Sequence, residues 1–459
     1  METGQDRSAE AVGMTGISGV FPGGDTLEGF GERSVDEERS ADSLLPAITV
    51  DWLLFWLLWP FGALTGALRR FRAPYAKTVL VLFCLYFGFV FLYGDPYADK
   101  TTDSARYAAT LIEMNHHPVP FERLVTLFYH PKSGMIDLYQ PLMTWGVSLF
   151  TSDPRVLFAL FAAIFGIFWA QNLWLVYSRT PAGGGVLLLL FMLGLALINP
   201  VWYINGVRMW TAAQIYVYGA LLWFLEEKRS GLLWILLSVL VHFSFIFPVV
   251  LFLGYLVLPG SLSLMFLFFV ATSFVREINL TAVREALDYL PDIFRDRMEG
   301  YTSENYARSV SETAQQLPLY VQMSEKVGNI IVYAWAIGVY FTRKVWAPPS
   351  PALVRLFGYA LFLGGCAQIV SLIPSGLRFV VVAYSLFYAA FILVMAHMPV
   401  KGSVAMLRTA SVPLLLYLVI CNLRMGFDFM GMNTFLGNPV LAFFSEEQIP
   451  LIEYIKQLF

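Results

Sequence analysis

The chain has 459 residues, of which 58% are hydrophobic, 16% aromatic and only 14% charged, with a net charge of −3. A soluble domain of this size carries about 25% charged residues, so most of this surface lacks polar cover and the lipid bilayer is its expected solvent. A cytosolic enzyme and a disordered scaffold are excluded on that ground, and the slightly negative balance excludes a nucleic-acid partner.

In chain order, residues 1–46 come first, with ten Asp/Glu, three Arg, many Gly and Ser, and almost no apolar periodicity. They read as a disordered acidic N-terminal tail. Residues 47–424 read as a polytopic membrane domain. Apolar runs long enough to span a bilayer cover 48–68, 75–93, 155–177, 184–201, 207–225, 327–343, 352–373, 378–397 and 408–424. The run 231–257 contains His242, Ser244 and Pro248 and is too long for one simple span, while 261–275 is short. Either a hairpin at His242–Pro248 followed by a crossing at 261–275, or one long span followed by a re-entrant segment, fits this pattern. The sum is an all-α, polytopic integral membrane helix bundle with about 10–12 transmembrane helices.

Orientation follows from the basic connections. Arg69, Arg70 and Arg72 lie between the first two runs and Lys77 at the start of the second; Lys228, Arg229, Arg343, Lys344, Lys401 and Arg408 mark later turns. The positive-inside rule puts these in the cytoplasm. The acidic amino terminus is then expected outside. Two long loops, 94–140 and 276–326, and the C-terminal tail 425–459 also face outward. Both loops have apolar residues at helical spacing, as interfacial amphipathic helices do; in the second, Ile278, Val283, Leu287, Leu290 and Phe294 form one face. The tail ends in another short amphipathic stretch.

Motifs for metal or cofactor chemistry are missing. Cys84, Cys366 and Cys421 each sit alone in an apolar run, and the five histidines show no HExxH spacing. No GxGxxG or P-loop appears. The expected chemistry therefore uses no metal and no cofactor, and is carried by polar residues scattered on the spans.

Ionisable groups inside apolar runs are costly and mark function. Four places stand out. The run 198–216 carries Asn199, Asn205, Arg208 and Gln214; an arginine there is either snorkelling to the interface or gripping an anion through its bidentate fork. The run 236–248 carries His242 and Ser244; the histidine is either a satisfied core residue or a proton acceptor. Arg378 starts a span and Tyr384 lies within it, so the arginine is either an interface anchor or a second phosphate ligand. The segment 101–111 places Asp103, Arg106 and Tyr107, with Glu113 beyond, on one helical face that is either solvated or part of a site. Asp95, Asp99 and Asp137 extend the outer polar inventory.

The run NPVWYINGVRMWTAAQIYVYGALLWFLEEKRSGLLWILLSVLVHFSFIF resembles the core of the Wzy/EpsG-type bacterial polysaccharide polymerases. The shared pattern is an arginine a few residues into a span (Arg208), a charged turn (Glu226–Arg229), and an apolar run ending in His242 with Ser244. Asp103 and Tyr107 in TTDSARY and the later Arg378 and Tyr384 are similar to further features of that family. The resemblance spans roughly residues 75–450 and rests on motifs of one or two residues. It implies a GT-C-like membrane fold in the bacterial cytoplasmic (inner) membrane. It also implies polymerisation of undecaprenyl-diphosphate-linked repeat units at the outer, periplasmic face, for O-antigen, capsule or exopolysaccharide. The implied partners are lipid-linked oligosaccharides and membrane lipid, with a chain-length regulator and a flippase. The acidic tail departs from the family pattern.

The residues fit such chemistry. A lipid diphosphate leaving group needs preorganised cations, which Arg208 and Arg378 supply. The acceptor hydroxyl must lose a proton, with His242 ranked first as base and Asp103 as a positioning group. Arg106, Tyr107, Asn205, Gln214, Ser244 and Tyr384 complete the expected diphosphate and sugar contacts. The rival readings are a transporter or flippase of the same lipid-linked sugars, which calls for polar residues through the full membrane depth, and an O-antigen ligase or membrane acyltransferase.

Overall fold

The computed structural model describes residues 45–99, 102–129, 137–181, 184–258, 260–278, 308, 312, 315–348, 350–398, 400–445 and 447–457. The amphipathic face expected over 278–298, and the tail expected over 1–46, lie outside these except at Ile278, Leu45 and Pro46. Among the described residues the fold is all-helical with no strand. We number α1 (Val50–Leu58), α2 (Pro60–Leu68), α3 (Pro74–Phe89), α4 (Asp103–His116), α5 (Phe121–Tyr129), α6 (Tyr139–Ser148), α7 (Pro154–Tyr177), α8 (Gly185–Ile198), α9 (Val207–Leu225), α10 (Ser230–Val241), α11 (Ile246–Val257), α12 (Leu262–Thr272), α13 (Leu319–Phe341), α14 (Pro351–Val370), α15 (Leu377–Met395) and α16 (Gly402–Gly426). Among the described residues, five stretches are long and apolar enough to cross a membrane: Pro154–Tyr177, Gly185–Leu225, Pro351–Val370, Leu377–Met395 and Gly402–Gly426. Leucines and isoleucines such as Leu189, Leu193, Leu416 and Ile420 stand exposed on their outer faces, the arrangement an apolar solvent favours.

Cross-helix contacts give the direction of each element. Asn172 on α7 bonds Gln214 on α9, and Arg179 below α7 pairs with Glu226 below α9, so α7 and α9 run the same way. Trp169 donates to the Ala196 carbonyl and Tyr177 to that of Met192, which makes α8 antiparallel to α7. α10 returns against α9, with Trp234 beside Tyr218. α11 then descends along α9: the Tyr216 hydroxyl donates to the Pro248 carbonyl at 2.8 Å, and Phe252 and Tyr255 meet Phe224. The run 231–257 is thus a hairpin with its tip at His242, and α12 climbs beside α14, from Leu262 near Gly358 to Thr272 bonding Gln368. Pro248 explains the tip. Its ring cannot tolerate the Ser244 carbonyl in a continuing helix, and His242 takes an extended conformation (φ −149°, ψ 116°).

The segment 48–68 departs from the sequence expectation of a single span. It is two nine-residue helices broken at Trp59, whose backbone (φ −155°, ψ 86°) leaves the helical region before Pro60. Trp52 stacks on Tyr75, and Gly66 approaches Trp52, so both free ends of this second hairpin lie at the start of α3. The Thr78 hydroxyl donates to the Pro46 carbonyl at 2.5 Å. Pro46 therefore lies at the end of the bundle that holds Arg69, Arg70 and Arg72, not at the opposite end as the orientation argument expected.

Tight helix pairs rest on glycine. A Cβ on Gly219 of α9 would come within 2.6 Å of the Gly231 carbonyl on α10, so this backbone contact exists only with glycine. It holds the α10–α11 hairpin against α9, and that contact positions the site.

Candidate functional site

The tip of the hairpin frees backbone groups that must be satisfied within the protein. Asp137 and Leu138, just ahead of α6, meet that need. The Phe243 amide donates to Asp137 Oδ1 at 2.8 Å, and the Leu138 amide donates to the Leu240 carbonyl at 3.1 Å. The docking carries the Asp137 carboxylate, 2% exposed, into the bundle.

Its other oxygen joins two candidate residues. Asp137 Oδ2 lies 3.0 Å from His242 Nδ1 and 3.1 Å from the Arg208 guanidinium. Arg208 stands in the first turn of α9, where the positive end of the helix dipole opposes a cation, so it needs the carboxylate. Its Nε also donates to the Tyr107 hydroxyl at 3.1 Å, from α4. The Arg208 side chain keeps 27% of its exposure, so an anion can still reach it. Burial pushes the Asp137 carboxyl upward. Its hydrogen bond and charge interaction with His242, the Phe243 amide and the nearby Arg208 outweigh burial and hold it below the usual carboxylate range. An ionised Asp137 accepts from His242 Nδ1, so Nε2 is the ring nitrogen left to accept whenever the imidazole carries one proton. This tautomer follows from the hydrogen-bond pattern.

The other expected residues are distributed differently. Asp103 and Arg106 form an ion pair with each other at the start of α4, with Arg106 exposed; Asp103 is close enough to act on Arg208 electrostatically without touching it. Gln214 lies deeper on α9, in a closed amide network: its Nε2 donates to the Asn199 carbonyl at 2.9 Å and its Oε1 accepts from Asn172 at 2.7 Å. It crosslinks α7, α8 and α9 instead of joining the Arg208 cluster, because six residues of helix turn it to another face and level. Tyr384 donates to Asn329 of α13 and is likewise engaged between helices. Arg378 is exposed at the start of α15, next to Phe379, whose ring lies 4.9 Å from Phe247 just beyond the hairpin tip. It forms no bond with the cluster. The Asn205 Oδ1 atom, three residues before Arg208, and the Ser244 Oγ atom, two after His242, are buried and without a hydrogen-bond partner in the protein.

Asp137 is the residue that sequence reasoning left in the background. Its signal was a lone carboxylate between Ile136 and Leu138, ahead of an apolar helix. No protein-family model, no curated protein and no solved structure matches this chain.

Proposed function

We propose that this chain is a metal-independent membrane glycosyltransferase that joins lipid-diphosphate-linked oligosaccharide repeat units at the outer face of a bacterial cytoplasmic membrane. One observation carries the reading: Asp137 holds His242 and Arg208 together at the end of the bundle opposite the basic turns. His242 Nε2 would take the proton from the acceptor hydroxyl as the glycosidic bond forms, with Asp137 orienting the ring and stabilising the imidazolium. Arg208 would stabilise charge developing on the departing diphosphate, and Tyr107 fixes its guanidinium. Arg378, at the rim, would offer the diphosphate a second cation. The exposed apolar helix faces would leave lateral access for the prenyl chain.

About 10–12 crossings, with Arg69–Arg72 and Lys228–Arg229 in the cytoplasm, agree with this orientation. A flippase and a chain-length regulator are the expected partners. A flippase reading fits less well, because Arg208, Asp137 and His242 gather near one end while the deeper Gln214 network is uncharged. The test is conversion of lipid-linked repeat units to polymer by the purified protein in vesicles. Activity lost in Arg208→Ala and in His242→Ala supports the reading, and full-length polymer from both variants overturns it.

A further inference from the structure

The geometry at Asp137 makes His242 and Arg208 competitors for one atom. Oδ1 is tied to the Phe243 amide, so the carboxylate cannot swing to follow either partner. Oδ2 alone serves both the imidazole and the guanidinium. Arg208 is the partly exposed member of the trio, and His242 and Asp137 are buried. An anion arriving from solvent therefore meets Arg208 first. Among the described residues, the surrounding charged and titratable groups are few. They are Tyr107 and the Asp103–Arg106 pair on α4, Tyr139 at the start of α6, and Arg378 on α15 beside Phe379; α10 and α11 bring no charge to the tip.

We propose that Asp137 couples the two sites, so that binding of a diphosphate at Arg208 makes His242 a stronger base, read out as partial proton uptake on binding. With the site empty, Arg208 satisfies much of the charge on Oδ2, and the carboxylate supports the imidazolium weakly. When a diphosphate engages the guanidinium, that compensation is divided, and Oδ2 becomes available to a protonated His242. The anion's own charge acts in the same direction. By reciprocity, a protonated His242 strengthens diphosphate binding. The consequence for the reaction rests on the function proposed above. The neutral form of His242 is a stronger proton acceptor when a donor substrate occupies Arg208, so a free hydroxyl or water is activated less readily in an empty site.

The test uses the full-length protein in lipid nanodiscs and inorganic pyrophosphate as probe. Titration calorimetry at about pH 7, in two buffers of different ionisation heat, counts the protons exchanged on binding. The expected result is proton uptake by the wild type in excess of that by His242→Gln; the probe's own titration is common to both proteins and subtracts. Linked to at most one proton, the wild-type affinity then weakens by up to about tenfold per unit rise in pH beyond the slope of the variant. Asp137→Asn should bind pyrophosphate yet lose most of the excess uptake. Equal proton counts in wild type and His242→Gln overturn the coupling while leaving the diphosphate reading intact, and this pair decides even if Asp137→Asn fails to fold. Full excess uptake in Asp137→Asn removes Asp137 as the link. Pyrophosphate that does not bind, or binds as well to Arg208→Ala, overturns the diphosphate reading and the coupling with it.

Discussion

Arg208 and Gln214 share one helix, and both interrupt an apolar run, but the protein treats them differently. Gln214 is enclosed, with both ends of its amide bonded to groups on α7 and on the turn after α8. Arg208 is anchored on one side by Asp137 and Tyr107 and partly exposed on the other. A polar group whose partners all lie within the protein specifies helix packing; one left partly open can serve a ligand. Satisfaction of hydrogen bonds, more than polarity, separates the two regions.

Variants at each region sharpen that contrast. Arg208→Ala should give the largest loss, abolishing polymer. It also leaves Asp137 buried beside His242 without its cation, a situation that costs about 3–5 kcal/mol. The double variant with Asp137→Asn should recover thermal stability in detergent but no polymer; if polymer returns, the guanidinium has no chemical role. His242→Ala should lower turnover by about 10²–10⁴-fold, the usual contribution of a general base, with a smaller change in unfolding temperature. A near-wild-type rate in steady-state assays of lipid-linked substrate would remove it as base.

Gly219→Val tests position instead of chemistry. The added side chain must push α10 away from α9, so folded yield and turnover should fall together, while unchanged turnover in the folded fraction would show that the hairpin tip tolerates displacement. Gln214→Leu should cost about 1–2 kcal/mol of stability, since Asn172 and the Asn199 carbonyl lose their partner, and should leave turnover per folded molecule unchanged. Arg378→Ala should act least. It touches no member of the trio, so a rise in KM with kcat retained is expected, and an unaltered KM would leave Arg378 as an interface anchor only.

Much of the fold was legible because its cues are local. Apolar runs, basic turns and Pro248 all act within a few residues, and the break at His242 follows from them. The first run misled, since its length and hydropathy matched a span while the Trp59–Pro60 junction turned it back on itself. Of the site, Arg208 and His242 were legible as charges in apolar surroundings. Asp137 was not, because its loop looked like any polar loop and its partners lie 71 and 105 residues away. The inter-helix bonds of Gln214 and Tyr384 were not legible for the converse reason: their polarity is visible in sequence, but the helix facing each of them is not.

The scarcity of charge, a property of composition, determined the class of the protein and the short list of residues whose burial demands explanation. Tertiary structure alone decided which of those residues meet. Transfer from water to lipid depends on the residue itself and its near neighbours, and so can be read along the chain. The shared carboxylate oxygen between Arg208 and His242 depends on α9, the hairpin tip and Asp137 ahead of α6 converging to within about 3 Å, a condition that no local pattern encodes.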